Sequence, residues 1–180
     1  KFMTVLAKEQ NNISVDDLKN ISNTDLADLC YNTEQAIKAG GGFGWISVPP
    51  REVLKKYWNG MLLVNTNKLI VGRLNGDIAG SMQLYFYPPS NEAQKAIARI
   101  QSHFVAPWAR GYGLAKAMID YAIVKSRENN KNNIQLDIRE TQTAAIQLFE
   151  SKGFIKWGEN PVYAYVNGNP IKGYYYYKNI

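Results

Sequence analysis

The chain is short of the residues that staple a small fold or hold a metal. Its single cysteine, Cys30, excludes an internal disulfide framework and any multi-cysteine zinc site. Its single histidine, His103, excludes the paired-histidine helix of metalloproteases and other multi-His centres. No apolar run approaches the roughly 20 residues that a membrane-spanning helix needs. The opening stretch Phe2 to Ala7 is too short for the apolar core of a signal peptide, and no cleavage-like segment follows it. The sequence begins at Lys1 rather than Met, which leaves open whether residues precede it, and a cytoplasmic location is the expectation. Repeats, low-complexity tracts and linker-like Pro/Gly/Ser stretches are absent, so residues 1–180 read as one domain.

What is present is an ordinary globular composition, 46% hydrophobic and 20% charged, in a chain of 180 residues. At that length one core removes roughly 70% of the unfolded surface from water, and no covalent staple is required. The 21 Lys and Arg exceed the 15 Asp and Glu, giving a formal charge of +6 that suits an anionic ligand. The basic residues are dispersed and no recognition motif accompanies them, so neither a nucleic acid nor a membrane is the expected partner.

Ser22 and Asp25 form a capping-box-like start for a helix with Leu26, Leu29, Cys30, Thr33 and Ile37 at helical spacing. Gly40 to Gly44 stops it, and Pro49-Pro50 starts a second helix with Val53, Leu54, Tyr57, Trp58 and Met61 as its apolar stripe. Leu69 to Leu74 and Ile78 to Tyr87 flank Asn75-Gly76, a strong hairpin signal. Ile97 to Val105 reads as a strand, Gly111 to about Lys125 as a helix, Ile134 to Arg139 as a strand, and Thr143 to Lys152 as a helix closed by Gly153. Two strands around Tyr163 and Tyr175 finish the chain, and the Tyr174 to Tyr177 run carries aromatics on both faces. With a short initial strand or coil, this order predicts an α/β (α+β) fold: a mixed central sheet with helices on both faces.

The chemistry concentrates where a strand turns into a helix, in Phe104-Val105-Ala106-Pro107-Trp108-Ala109-Arg110-Gly111-Tyr112-Gly113-Leu114-Ala115. Two glycines allow close backbone approach, and the first free N–H groups of the helix point outward beside Arg110, which together make a cradle for a diphosphate. The triphosphate loop is absent, because no Gly-Lys-Ser/Thr follows. A dinucleotide fingerprint would need a third glycine where Lys116 stands.

This segment resembles the acetyl-CoA-binding signature of the GNAT N-acetyltransferase superfamily, Arg/Gln-x-x-Gly-x-Gly/Ala, read here as Arg110 to Ala115 after Val105-Ala106-Pro107. Downstream, Leu136-Asp137-Ile138-Arg139 and Ala145-Ile146-Gln147-Leu148-Phe149-Glu150-Ser151-Lys152-Gly153-Phe154 are similar to the second half of that family. Residues 134–154 look most like its ribosomal-protein alanine N-acetyltransferase branch. The resemblance is dense over residues 68–158, which would carry the cofactor-binding core.

The resemblance implies a GNAT fold and transfer of acetyl from acetyl-CoA, as co-substrate and without a metal, to a primary amine by direct attack in a ternary complex. The acceptor is left open among a small amine, an amino acid or antibiotic, and a protein N-terminus or lysine. The alternative is a non-catalytic acyl-CoA-binding or sensing module. By position, the backbone of Phe104 and Val105 would pair with the pantetheine arm. Arg110, Gly111, Tyr112, Gly113, Leu114 and Ala115 would hold the pyrophosphate. Gln142 would stand where an Asn often contacts the pantetheine, and Ala145 and Phe149 would line the cleft beside the thioester. Phe149 departs from the family tyrosine that protonates the leaving thiolate, so no general acid is named. The loop bearing Phe43 and Trp45 would lie over the acceptor as a lid or apolar wall.

Two residues are candidate catalytic bases. Strand alternation sets Arg99, Gln101, His103 and Val105 on one face, and Ala98, Ile100, Ser102 and Phe104 on the other. In the next strand Gln135, Asp137 and Arg139 oppose Ile134, Leu136 and Ile138. Asp137 occupies the acidic position that the alanine acetyltransferase branch uses as a base. His103 has the side chain whose ordinary pKa suits proton transfer near neutrality. The oxyanion would meet a strand backbone N–H. Cys30 falls on a helical apolar stripe and is expected in the core rather than as a nucleophile. Monomer and homodimer both remain open, with the tyrosine-rich last strand as a candidate for pairing with a second chain.

Overall fold

Two Asn-Gly turns frame the sheet. The computed structural model describes residues 10–41 and 43–180. The opening stretch Phe2 to Ala7, and Gly42 of the glycine loop, lie outside the described residues. Asn75 and Gly76, both at positive φ, join β2 (Asn67–Leu74) to β3 (Asp77–Phe86). Asn167 and Gly168 do the same for β6 (Ile155–Val166) and β7 (Asn169–Asn179). With β1 (Ile13–Leu18), β4 (Ile97–Val105) and β5 (Asn133–Arg139), these form one seven-stranded sheet in the order β1-β2-β3-β4-β5-β7-β6. Every neighbouring pair is antiparallel except β4 and β5, so the sheet is mixed.

Helices cover both faces. On one lie α1 (Asn23–Lys38) and α2 (Arg51–Met61), whose Leu29, Cys30, Ile37, Leu54 and Trp58 join Leu69, Val71 and Ile78 of the sheet in one core. Ser22 caps α1 by accepting from the Asp25 N–H at 3.0 Å. The Asp25 carboxylate does not complete the box; it pairs with Arg73 Nη1 and Nη2 at 2.9 and 3.0 Å. The opposite face carries α3 (Leu114–Glu128) and α4 (Thr143–Ser151), packed on Ile70, Met82, Leu84, Ile134, Leu136 and Tyr176. Helix α3 begins at Leu114, three residues later than expected, because Gly111 and Gly113 both sit at positive φ and cannot be helical.

A pair of cross-strand glycines seats α3. Gly72 and Gly80 face each other across β2 and β3. A Cβ at Gly72 would lie 2.7 Å from Leu114 Cδ1, and one at Gly80 would lie 3.1 Å from Met118 Cε. The start of α3 therefore rests directly on the sheet backbone.

Two expectations need correction. The last strand, β7, is internal, bonded to β5 on one side and β6 on the other, so it is not an edge for a second chain; among the described residues the outer strands are β1 and β6. The alternation expected along β4 also fails after Gln101. Ser102 has φ 49, and Ser102 and His103 together oppose Met82, between the pairs Gln83↔Gln101 and Ser81↔Phe104. This bulge reverses the faces of the residues beyond it. Ala98 and Ile100 pack toward α3 and α4, whereas Phe104 packs on Phe43 and Trp58 under α1 and α2.

Candidate functional site

The bulge coincides with a fork in the sheet. β4 and β5 are bonded only from Ile97↔Asn133 to Arg99↔Gln135, while β4 stays bonded to β3 as far as Val105. Beyond Arg99 the two strands part, and β4 presents to the gap an edge that is unpaired among the described residues. The Ala106 N–H bonds Ala79 O on the β3 side at 2.7 Å, so by alternation the Val105 N–H faces the gap.

Two cavities meet there. The larger, about 710 Å³, runs from the fork to the start of α3. Of the eleven residues expected to bind cofactor, nine line it: Phe104, Val105, Arg110, Gly111, Gly113, Leu114, Ala115, Gln142 and Ala145. Tyr112 does not; its side chain is exposed. Phe149 is buried and lines the smaller cavity instead.

The turn into α3 is built to present donors. Gly113 is left-handed and has no side chain to cap the helix, and the N–H groups of Leu114, Ala115 and Lys116 find no backbone acceptor in the turn. The preceding one-turn 3-10 segment, Pro107–Ala109, is tied down by Trp108, whose indole N–H donates to Asn32 Oδ1 at 2.7 Å; Asn32 in turn donates to Ile78 O. A flexible anionic chain ending in a diphosphate fits this groove, with apolar walls along its length and free N–H groups at its end.

The smaller cavity, about 310 Å³, lies between the parting strands, lined by residues 100–103 of β4 and 136–139 of β5. Asp137 stands in it with both oxygens engaged: Arg99 Nη2 donates to Oδ1 at 2.7 Å and the Tyr163 hydroxyl donates to Oδ2. Gln101, Ser102 and the ring of Phe43 complete its nearer walls. His103, Arg139, Gln142 and Ala145 line both cavities and mark where they join.

His103 differs from its expectation. Burial alone pushes its pKa from 6.5 down to about 4, so the ring is neutral at pH 7 and does not change charge near neutrality. Its Nε2 is shut off from solvent with no partner among the described residues, and its ring meets Phe149 edge-on at 5.5 Å. The structure thus brings both candidate bases to the cavities, with His103 held neutral at pH 7 and the Asp137 side chain in the smaller one.

The loop between α1 and α2 closes over the junction. Arg139 Nη2 donates to Phe43 O at 2.9 Å, and Gln142 Nε2 donates to Gly40 O at 2.8 Å. Phe43 is fully buried among Trp45, Tyr57, Trp58 and Phe104, with ring centroids 5.0 to 6.3 Å away, so it is a fixed apolar wall. Cys30 is fully buried in α1, outside both cavities.

Tyr163 is the site residue that sequence reasoning did not single out from the neighbouring tyrosines. The signal that separates it is Pro161, two residues earlier, which cannot donate to a sheet ladder and marks an irregular strand.

Comparison with known proteins follows the same outline. The family model described as "Acetyltransferase (GNAT) family" matches residues 31–154. An uncharacterized N-acetyltransferase in the hisH-hisA intergenic region of Azospirillum brasilense is 44% identical over 130 residues, which is 72% of this chain and 77% of that protein. Among solved structures, a ribosomal-protein-alanine N-acetyltransferase from Brucella melitensis superposes with TM-score 0.76 at 17% identity, covering 93% of this chain and 99% of its own. The protein yncA of Salmonella typhimurium, solved with its cofactor acetyl-CoA, gives 0.73 at 16% identity and covers 93% of each chain. At these identities the structural agreement is one of fold.

Proposed function

The chain belongs to the GNAT family of acetyltransferases, and from that premise we propose that it moves the acetyl group of acetyl-CoA onto a primary amine by direct attack within a ternary complex. The observation that carries this reading is the junction of the two cavities at the β4–β5 fork, with a donor-rich glycine turn at one end and a lone carboxylate at the other. Acetyl-CoA lies in the larger cavity. The free N–H groups at the start of α3, with Arg110, take its pyrophosphate, and the open edge of Phe104 and Val105 takes the pantetheine arm as an added strand. The thioester then reaches the fork, where Ala145 and Gln142 flank it. An unpaired β4 N–H donates to the carbonyl oxygen as negative charge develops on it.

The amine enters the smaller cavity. Asp137 attracts its ammonium form and takes up a proton, directly or through water, so that the free nitrogen attacks. His103 serves as a neutral hydrogen-bonding group at the junction. Phe149 supplies no proton, and the departing thiolate draws one from solvent. Burial of Cys30 away from both cavities supports direct attack over a thiol-bound acyl enzyme. The acceptor is a small molecule or a protein N-terminus or lysine.

Phe149 also favours a second reading, a module that binds acyl-CoA without turning it over. An assay of free CoA thiol separates the two. The purified chain is given acetyl-CoA with L-amino acids, an alanyl peptide, a lysine peptide, a polyamine or an aminoglycoside. Transfer predicts amine-dependent thiol release; binding of acetyl-CoA with no release above the amine-free rate would leave the sensing module.

A further inference from the structure

The route by which Tyr163 reaches Asp137 is unusual for a sheet. Asp137 is on β5 and Tyr163 on β6, with β7 between them, so the two strands are about 10 Å apart at ordinary strand spacing. Three features of this chain bridge that gap. Between the pairs Asn160↔Gly173 and Ala164↔Ile171, β6 carries the three residues Pro161, Val162 and Tyr163 against Lys172 alone. Pro161 has no N–H for the ladder, and the Val162 N–H turns to Asn160 Oδ1 at 2.9 Å. On β7, Gly173 vacates the path: a Cβ there would lie 2.1 Å from Tyr163 Cγ and 2.4 Å from Cδ2. The ring crosses β7 over that glycine, meets Tyr175 edge-on at 6.3 Å and delivers its hydroxyl to Asp137.

We propose that Tyr163 is a positioning residue for acetyl transfer: its hydroxyl holds Asp137 Oδ2 while Arg99 holds Oδ1, fixing the carboxylate with its remaining lone pairs turned to the amine cavity. This rests on the reading of Asp137 as the group that receives the amine. Burial and the neighbouring carboxylate raise the Tyr163 pKa well above that of an ordinary phenol, so the hydroxyl remains a donor throughout the neutral range. Without it the carboxylate is free to swing toward Arg99 as a bidentate pair and away from the substrate.

The test is a double-mutant cycle of Tyr163→Phe and Asp137→Asn, read in stability and in rate. Phe keeps the ring over Gly173 and removes only the hydroxyl. In urea unfolding, the two changes should couple by about fivefold or more in the equilibrium constant. In the thiol assay with the fastest amine of the panel above, Tyr163→Phe should lower kcat/KM for the amine about tenfold or more, as expected for loss of a hydrogen bond to a charged group. Its affinity for acetyl-CoA should stay within twofold. In the Asp137→Asn background the same change should cost less than twofold. Gly173→Ala, which keeps the hydroxyl but expels the ring, should repeat the loss. Additive effects in both readouts, or wild-type efficiency in Tyr163→Phe, would overturn the proposal. Full activity in Asp137→Asn would instead remove Asp137 from the mechanism, while the stability cycle would still report whether Tyr163 holds it.

Discussion

Gly113 offers a way to separate backbone strain from ligand approach. Its φ of +83° and ψ of 13° put it in the left-handed region, and a Cβ built there meets no protein atom within 4 Å. An alanine therefore costs the fold only conformational strain, about 1–2 kcal/mol, or roughly 2–8 °C in Tm for a chain this size. The new methyl stands in the groove at the start of α3, where the proposed diphosphate must come within hydrogen-bond distance of the backbone. Losing one N–H···phosphate bond, worth about 1.5–3 kcal/mol, weakens acetyl-CoA binding roughly 10- to 150-fold. Gly76 is the matched control: its φ is +92°, its Cβ position is also empty, and it sits in the β2–β3 turn outside both cavities. Thermal melts and acetyl-CoA titrations of Gly113→Ala and Gly76→Ala should show similar losses of stability, with affinity lost in the first alone. Equal affinity in the two variants would refute the assignment of this turn to the cofactor.

Two further predictions concern polar groups held away from bulk water. Because His103 titrates at about 4 in the folded chain and near 6.5 when unfolded, protonation favours the unfolded state. Its contribution is complete above pH 6.5 and is lost as pH falls toward 4, a change of about 3 kcal/mol; in urea melts wild type should lose about that much stability relative to His103→Gln across this window, and parallel pH curves would contradict the burial argument. Trp58, fully buried, donates its indole N–H to Thr33 Oγ1 at 3.0 Å, and the Thr33 hydroxyl donates to Leu29 O. Trp58→Phe should lower stability by about 2–3 kcal/mol in a denaturant melt, and a loss below about 1 kcal/mol would mean that the packing here relaxes freely.

The parts of the molecule that were legible in the sequence are those set by local backbone chemistry. Asn75-Gly76 demanded a hairpin, Ser22 a helix start and Gly153 a helix end, and each is found where its turn geometry requires. Arg110 to Ala115 was legible for the same reason: a strand leading through two positive-φ glycines into a helix is a local arrangement with a local consequence. Asn167-Gly168 carries the same hairpin signal and would have joined β6 to β7 directly. What stayed hidden depends on partners far away in sequence. Ser102 adopts φ 49 without being a glycine, so nothing in Ile97 to Val105 announces the bulge that turns Phe104 to the other face. The internal position of β7 follows from its pairing with β5, some forty residues earlier. Tyr163 stands apart from five nearby tyrosines through Gly173, on a different strand, with Pro161 as its one local sign. The neutral state of His103 likewise comes from burial by elements that its own strand does not specify.

The central claim is that the groove from the β4–β5 fork to the start of α3 is an acetyl-CoA site. A calorimetric titration of the intact chain with acetyl-CoA, run beside NAD and ATP, tests it most directly. Acetyl-CoA should bind saturably in the micromolar range at one site per chain, with NAD and ATP giving no comparable heat. Folded protein that takes up no acetyl-CoA, or that takes up NAD equally well, would contradict it.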